Sequence, residues 1–435
     1  MDNPRRTAVL ALVKQEKSGY ANLVLSQVLQ NFTGTPRERA FVSAVFYGTI
    51  ERQITLDTLL QPMLTKPLAK LDAEVRAILR AGLYQANYMS SVPPSAAVNE
   101  SVALARALGK TSASGLVNAV LRKAIAADIT KMPFANDTAR LSALYSVSTP
   151  IVDVFQRAYG AMAEQELAAT LAPSRLCVRV NTLLTDTQAL QALYAKQNIA
   201  TARGAVPNSL YVEYKGDITA TKAFRGGLFH VQGEASQAAC AALAPKPGSK
   251  VLDLCSAPGG KSATLAQYMQ NKGTLLCADA AENRLSLVKT LLERNGVSCA
   301  SVLAQDASAH NPAFENADYV LCDVPCSGLG TLAKKPDIRA KRLEGIADLY
   351  ALQKRILYTA ASYVKRGGRL VYSTCTINPK ENEEIVQEFL SNNSDFKAIP
   401  VPFTPSGVQN EGHFVKFSPF SCGTDGFFVA SLERL

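Results

Sequence analysis

The sequence has no tryptophan, only three histidines and no apolar run of membrane-spanning length. Its nine cysteines lie between positions 177 and 422 without a C-x-x-C pair, so zinc-ligand spacing is absent and we expect no metal site. The opening residues, MDNPRRT, lead into an amphipathic segment rather than the apolar core of a secretion signal. These absences predict a cytoplasmic protein with reduced thiols and no membrane partner.

The chain is otherwise typical of a large globular protein. Its 435 residues, 47% hydrophobic and 19% charged, predict two or three domains with well-buried cores. The net charge of +10 is uneven: residues 1–150 contain 17 Lys and Arg against 10 Asp and Glu, a net +7, whereas the other 285 residues contribute +3. This asymmetry indicates an N-terminal module that meets a polyanion such as nucleic acid, although a merely soluble basic domain would have the same charge.

The N-terminal region, residues 1–135, is predicted to be all-helical. Apolar residues recur at three-and-four spacing, without strand-like alternation, over residues 5–14, 21–30, 36–49, 72–89, 96–108 and 114–125. The stretches RERAFVSAVFYGTIERQITLD, SAAVNESVALARAL and SGLVNAVLRKA resemble the NusB family of RNA-binding helical domains. The resemblance implies an RNA-binding role for this region, and the alternative is a generic helical bundle.

Residues 136–235 are predicted to form a connector and a small α+β subdomain. The polar, mixed stretch 131–150 is the expected connector, followed by a helix over 151–171. Strands are then predicted over 173–183, 211–214 and 227–232, with a helix over 185–197.

The stretch VLDLCSAPGGKS, residues 251–262, predicts a nucleotide-type ligand site. A short buried strand is followed by Gly259 and Gly260, which allow the backbone to pass close to a ligand at a helix N-terminus. This is the first turn of a Rossmann-like fold. A phosphate-binding P-loop is excluded, because its leading glycine should stand where the chain has Cys255.

Strands and helices alternate through residues 236–435, which predicts a doubly wound α/β sheet. Strands are expected over 250–254, 273–279, 299–303, 317–322 and 369–373, and helices over 263–269, 283–295, 348–364 and 378–390. The last helix is expected to begin with a capping box between Asn378 and Glu381. Residues 413–417 and 426–432 are expected to close the fold as a hairpin.

Acidic residues and cysteines stand at the predicted carboxyl ends of these strands, where such sheets bind ligands. Asp279, Asp306 and Asp323 each follow a strand, and Asp279 lies 19 residues beyond Gly260, close to the spacing for an acid that binds a ribose. Each could instead be a helix N-cap. Cys326 and Cys375 reach the same edge, and two thiols there indicate nucleophilic chemistry. The other strand cysteines are expected in the core; they are Cys240, Cys277, Cys299 and Cys322.

Three motifs, LDLCSAPGGKS, DVPCSGLGTLAKKPDIR and YSTCTINPKENE, together resemble the RNA cytosine-C5 methyltransferases. With the NusB-like start and the ending DGFFVASL, the resemblance to the bacterial ribosomal RNA members covers essentially the whole chain. Ser256 and Ser262 stand where the family more often has Ala and Thr, and Gly233 replaces a frequent Asp. The resemblance implies a Rossmann-like, S-adenosylmethionine-dependent methyltransferase domain over residues 236–435.

The resemblance also implies the site residues. Those expected to bind S-adenosylmethionine are Cys255, Ser256, Ala257, Pro258, Gly259, Gly260 and Lys261, with Asp279 at the ribose, Asp306 near the adenine amino group, and Arg284 and Asp323 close by. Cys375 is expected to attack C6 of the cytosine, Asp323 to hold or protonate N3, and Cys326 to help remove the C5 proton. We expect a lowered pKa for Cys375, supported by basic residues such as Lys261 or Lys335.

The expected partner is RNA, either 16S ribosomal RNA or a partly assembled small subunit, and nothing in the sequence demands more than a monomer. The cluster of Lys334, Lys335, Arg339, Lys341 and Arg342 is a candidate phosphate grip, or else a solvated helix face. Two other functions stay open: the same chemistry on transfer RNA, and a non-catalytic RNA-binding or assembly factor. Intact Cys326, Cys375 and Asp323 argue against the latter, because a scaffold needs none of them.

Overall fold

The structure, a computed structural model, describes residues 3–18, 20–401, 408–410 and 412–435. The chain forms two compact units. The first contains residues 1–153 together with 334–342, and the second contains residues 154–333 and 343–435. No helix among the described residues is both long and apolar enough to cross a membrane.

The first unit is helical, as expected from its apolar periodicity. Its helices are α1 (Pro4–Ser18), α2 (Ala21–Gln30), α3 (Pro36–Glu51), α4 (Gln53–Leu60), α5 (Ala73–Tyr88), α6 (Pro94–Ala107), α7 (Ser114–Ile125) and α8 (Asp137–Tyr145). Apolar faces of α1 to α7 supply one core. At the start of α3 the Thr35 and Glu38 side chains cap each other's backbone N–H groups, with Pro36 in the first turn.

Two of these helices were not expected. Helix α4 follows α3 after the single residue Arg52, so the apolar residues of the two helices form one continuous pattern in the sequence. Helix α8 lies in the expected connector, where the Asn136 side chain accepts a hydrogen bond from the Ala139 N–H and begins the helix.

The second unit begins with helices and a small antiparallel sheet. Helix α9 (Thr149–Tyr159) spans the boundary between the units and precedes α10 (Ala163–Ala169). The small sheet has the order β2-β3-β1-β4, with α11 (Thr187–Ala195) and α12 (Lys222–Arg225) in its connections. Its strands are β1 (Cys177–Val180), β2 (Thr201–Arg203), β3 (Ser209–Val212) and β4 (Phe229–Val231). Only the three-residue β2, whose side chains are mostly exposed, had no counterpart among the expected strands.

The α/β part of this unit is built on a nine-stranded sheet. Its parallel strands are β5 (Lys250–Asp253), β6 (Thr274–Asp279), β7 (Ala300–Ala304), β8 (Ala317–Asp323) and β9 (Val364–Thr374). Strands β10 (Phe396–Ala398), β11 (Gln409–Asn410), β12 (Phe414–Phe417) and β13 (Phe427–Arg434) are antiparallel additions. The order is β11-β12-β13-β9-β8-β5-β6-β7, with β10 beside β13. The expected α/β fold and closing β12–β13 hairpin are confirmed.

Helices pack on this sheet and supply its two apolar cores. They are α13 (Glu234–Leu243), α14 (Gly260–Tyr268), α15 (Glu282–Arg294), α16 (Ile346–Tyr363), α17 (Glu383–Asn392) and the short α18 (Pro419–Cys422). Cys240, Cys277 and Cys322 are fully buried, as expected, whereas Cys299 is half-buried.

The expected capping box at residues 378–381 is wrong. Pro379–Glu381 is a single 3-10 turn, and α17 begins only at Glu383. The Asn378 side chain accepts from the Lys380 N–H, while the Glu381 carboxylate points into the protein, where it is fully buried. Donors in the interior, among them the Ser327 N–H, replace the N-cap backbone N–H that a capping box would have offered it.

Candidate active site

The site lies in the second unit, at the carboxyl ends of the parallel strands, where a glycine turn joins β5 to α14. Gly259 has φ +106°, and a Cβ there would lie 3.1 Å from the Cα of Val288, so both its conformation and its surroundings require glycine. Helix α14 begins at the next residue, Gly260, three residues before its expected start. Its first backbone N–H groups are therefore available to a ligand.

A cavity of about 230 Å³ lies against this turn. It is lined by Val231, Gln232, Gly233, Ser236, Cys255, Ser256, Ala257, Pro258, Gly260, Lys261 and Asp323. Most of the turn residues expected to bind a cofactor are thus brought together, with Asp323 opposite them. Residues 231–236 were missed, since β4 and the start of α13 carry no recognisable ligand motif. The departure at Gly233 is the one signal in the sequence that drew attention to them.

The three acids at the strand ends occupy different environments. Asp279, the last residue of β6, accepts hydrogen bonds from the N–H groups of Ala257 (3.0 Å) and Ala281 (2.9 Å), so it holds the glycine turn. Each carboxylate oxygen keeps a second lone pair for a ligand hydroxyl. Asp306 is exposed beyond β7 and accepts from the N–H and hydroxyl of Ser308, both at 2.8 Å. None of the three acids is a helix N-cap, so that alternative is excluded.

Asp323 ends β8 and is paired with the lysine of the glycine turn. Its Oδ2 lies 2.7 Å from Lys261 Nζ, and its Oδ1 accepts from the Ser373 hydroxyl at 2.8 Å. Burial opposes the charge of Lys261, but the adjacent Asp323 outweighs burial and raises the lysine pKa. Arg284, on α15, is exposed, and its Nη2 donates to the Ala257 carbonyl at 2.8 Å. It therefore braces the turn from outside.

A fourth acid, Asp253, lies beneath the turn at the end of β5. It is fully buried, and burial raises its pKa to about 7, although a hydrogen bond from the Ser262 hydroxyl (2.6 Å) opposes that rise. Its Oδ1 has no hydrogen-bond partner within the described part of the chain. Its position inside an apolar strand gave no sign of this environment.

Cys326 and Cys375 come together as expected, with their Sγ atoms 3.2 Å apart. Cys326 follows β8 and Cys375 follows β9, and both thiols are half-buried and form no disulfide. The hydrogen bond with Cys375 is the largest cause of a strongly raised pKa of Cys326, followed by burial and by the nearby Cys375, Glu381 and Asp323 charges.

One of the five basic residues expected to bind RNA phosphates, Arg339, is buried and cannot do so. Segment 334–342 is grouped with the first, helical unit, and within it Arg339 is only 1% exposed. Its Nη1 donates to the Tyr145 carbonyl at 3.0 Å, so its charge serves packing. The remaining four basic residues are exposed. Among the described residues there is no group of three His, Cys, Asp or Glu side chains arranged to hold a metal ion.

Comparisons with known proteins agree with this architecture. Residues 240–433 match the model of the family described as 16S rRNA methyltransferase RsmB/F, and residues 2–126 match the NusB family. The chain is 33% identical to the probable ribosomal RNA small subunit methyltransferase B of Bacillus subtilis, over 99% of this chain and 98% of that protein.

Two further matches also span the full length. A protein of Synechocystis sp. with the same description is 33% identical over 100% of both chains. The crystal structure of PH0851 matches with a TM-score of 0.82 and 25% identity, over 100% of this chain and 99% of that one. The chain therefore belongs to the ribosomal RNA small subunit methyltransferase B family, with a NusB domain followed by an RsmB/F-type RNA methyltransferase domain.

Proposed function

We propose that the chain transfers a methyl group from S-adenosylmethionine to C5 of a specific cytidine in 16S ribosomal RNA, through a covalent bond between Cys375 and C6. The observation that carries the proposal is the pair of thiols 3.2 Å apart, next to an ion-paired Asp323 that also lines the cavity at the glycine turn.

The cavity has the character that a charged, amphiphilic cofactor needs. The buried Ser256 hydroxyl lines it and has no hydrogen-bond partner among the residues that the structure describes. The ionic groups of Lys261 and Asp323 line it too. When bound, S-adenosylmethionine supplies an electrophilic methyl group. The turn residues 255–261 would hold its methionine and ribose part, Asp279 would bind the ribose hydroxyls, and Asp306 would approach the adenine amino group. Arg284 would brace the turn from outside through the Ala257 carbonyl.

In the first step the Cys375 thiolate adds to C6: the S–C6 bond forms, the C5=C6 electron pair shifts to between C4 and C5, and the C4=N3 pair moves onto N3. Asp323 holds N3, or passes it a proton from water, which spreads the developing charge. C5 is now electron-rich and takes the methyl group, and S-adenosylhomocysteine departs. The low pKa expected for Cys375 stays a prediction, and Lys261, which was expected to support it, lies in an ion pair with Asp323.

In the second step Cys326 removes the C5 proton, the C5=C6 double bond re-forms, and the S–C6 bond breaks to release Cys375. The raised pKa of Cys326 is consistent with this order, in which Cys375 attacks first and Cys326 accepts a proton afterwards. Its main cause is the hydrogen bond with Cys375, and that partner is lost once Cys375 has become a neutral thioether. Cys326 can then release its proton to water and accept the one from C5.

The test is methyl transfer from labelled S-adenosylmethionine to unmodified 16S ribosomal RNA and to transfer RNA in parallel, followed by digestion and identification of nucleosides by mass. We expect 5-methylcytidine from ribosomal RNA alone. Label only in transfer RNA would keep the chemistry and overturn the substrate. No methyl transfer to either RNA or to a partly assembled small subunit would favour the non-catalytic assembly factor.

A further inference from the structure

Glu381, on the turn that follows Cys375, has a fully buried carboxylate. Its oxygens accept hydrogen bonds from five groups on four residues. Oε2 accepts from the Ser327 N–H (2.8 Å) and Gln353 Nε2 (3.0 Å). Oε1 accepts from the Ser327 hydroxyl (2.5 Å), Asn378 Nδ2 (3.1 Å) and the Thr376 hydroxyl (3.2 Å). A carboxylate is suited to this role, because it accepts at both oxygens and donates at neither.

These contacts hold the residues on either side of Cys326. Ser327, which follows it, donates to Glu381 through both its backbone and its side chain. Pro325, which precedes it, has its carbonyl bound by Gln353 Nε2 at 2.9 Å, and the same nitrogen donates to Glu381. The loop that carries the Cys326 thiol is therefore fixed on both sides by one buried pair of side chains.

The second thiol depends on Glu381 less. Thr376, next to Cys375, makes the longest of the five contacts, at 3.2 Å. The Cys375 carbonyl separately accepts from the Gly330 N–H at 3.0 Å, and Thr374, on its other side, is paired with β13 in the sheet. Loss of the Glu381 contacts should thus displace Cys326 more than Cys375.

We infer that Glu381 is a positioning residue that sets the Cys326 thiol for removal of the C5 proton, and so governs release of the methylated RNA from Cys375. The inference rests on the covalent reaction proposed above. In Glu381→Gln an amide nitrogen replaces one oxygen and faces either Asn378 Nδ2 or the Ser327 N–H and Gln353 Nε2, which donate and cannot accept, so hydrogen bonds are lost within the interior.

The experiment follows a single incubation with S-adenosylmethionine and an unmodified 16S ribosomal RNA transcript, quenched in detergent. Covalent enzyme–RNA complex is measured on a denaturing gel and 5-methylcytidine by digestion, for wild type, Glu381→Gln and Glu384→Gln. The last variant removes an exposed carboxylate from the same segment. For Glu381→Gln we expect kcat to fall at least about tenfold, KM for both substrates to stay within about twofold, and the covalent fraction to rise at least about threefold.

A general loss of folding cannot produce this result, because it lowers adduct formation and release together and leaves their ratio unchanged. Ser327→Ala keeps the backbone contact with Glu381 and loses the hydroxyl contacts with Glu381 and Thr376. It should therefore shift the ratio in the same direction by less, even if Glu381→Gln fails to fold. Glu384→Gln should match wild type.

Equal loss of adduct formation and release, or an unchanged covalent fraction in both Glu381→Gln and Ser327→Ala, would overturn the positioning role of Glu381. The proposed function would still stand if the wild type formed 5-methylcytidine and the covalent adduct. If wild type formed neither product, the proposed function itself would fail.

Discussion

Two buried charged side chains, one in each unit, have different kinds of partner. In the helical unit Arg80 on α5 pairs with Asp57 on α4 and with Glu16 on α1, so opposite charges tie three helices together. In the catalytic unit Glu381 is surrounded by neutral donors that fix two loops. The first arrangement serves stability, and the second serves the geometry of the thiols. Substitutions should therefore separate loss of folding from loss of chemistry, unit by unit.

The largest effect is expected at the nucleophile. Cys375→Ala should lower methyl transfer by at least about 10⁴-fold, because no other group can form the bond to C6. RNA binding, measured by filter retention, should be unchanged. Cys299→Ser, at a half-buried thiol outside the site, is the control. Full methyl transfer by Cys375→Ala would show that the nucleophile has been misassigned.

Cys326→Ala sharpens the contrast within the site. Methyl addition should proceed, but the C5 proton should stay in place, so a covalent enzyme–RNA complex accumulates while turnover falls by about 10³-fold. Denaturing gel electrophoresis of the quenched reaction measures the complex. If turnover falls without accumulation, Cys326 acts before or during attack instead.

A buried acid makes the stability of the catalytic unit depend on pH. Burial raises the pKa of Asp253 to about 7, whereas an unfolded Asp titrates near 4. The folded protein therefore keeps a proton that the unfolded chain has released. The resulting stabilisation is complete below about pH 4 and is lost as pH rises to 7.

Urea unfolding at pH 5 and pH 8 measures this effect. The wild-type free energy of unfolding should decrease between these values by about 3 kcal/mol more than that of Asp253→Asn, which cannot titrate. Asp348→Asn, at an exposed carboxylate, should follow wild type. Equal pH dependence in wild type and Asp253→Asn would contradict the buried, protonated state.

Arg80→Met tests the other side of the comparison. Burial raises the pKa of Asp57 even though Arg80 pairs with it. Loss of the guanidinium leaves this carboxyl group without its partner. We expect the free energy of unfolding to fall by about 2 kcal/mol, between the values for exposed and fully buried ion pairs, with kcat per folded molecule unchanged. Arg106→Met, at an exposed position on α6, should cost less than about 0.5 kcal/mol. A tenfold loss of kcat in Arg80→Met would break the division between the units.

The smallest effect is expected outside the glycine turn. Arg284→Ala removes one exposed hydrogen bond to the Ala257 carbonyl, so KM for S-adenosylmethionine should rise about fivefold, near 1 kcal/mol, with kcat within about twofold. Lys289→Ala, exposed on the same helix, is the control. A fall in kcat at constant KM would mean that Arg284 acts on the reaction rather than on the cofactor.

Sequence reasoning was most accurate where structure is local. The observed bounds of α2 and α7 equal the expected ones, because apolar spacing within one helix defines its buried face. The edge containing Asp323, Cys326 and Cys375 was also predictable, since parallel strands bring their carboxyl ends together. The three-part division of the chain at residues 135 and 235 stays a prediction.

What could not be predicted depends on partners distant in the chain. Glu381 and Ser327 are separated by 54 residues, and Glu381 has the spacing of a capping box, which the chain forms instead at Thr35 and Glu38. One signal was present: Gln353 interrupts the apolar face that α16 presents through Ile356, Leu357 and Ala360. A polar residue at such a position requires a buried partner. Likewise, the burial of Arg339 depends on the helical unit, which local charge counting cannot reveal.

The most direct test of the covalent account is to trap the enzyme on RNA that contains 5-fluorocytidine. Fluorine at C5 cannot leave as a proton, so the bond to the enzyme should persist after methyl transfer. Peptide mapping should then find the nucleotide on Cys375. The methylated form of this adduct should be found only when S-adenosylmethionine is present. Attachment at Cys326, or active methyl transfer to natural RNA with no adduct on the fluorinated RNA, would contradict the account.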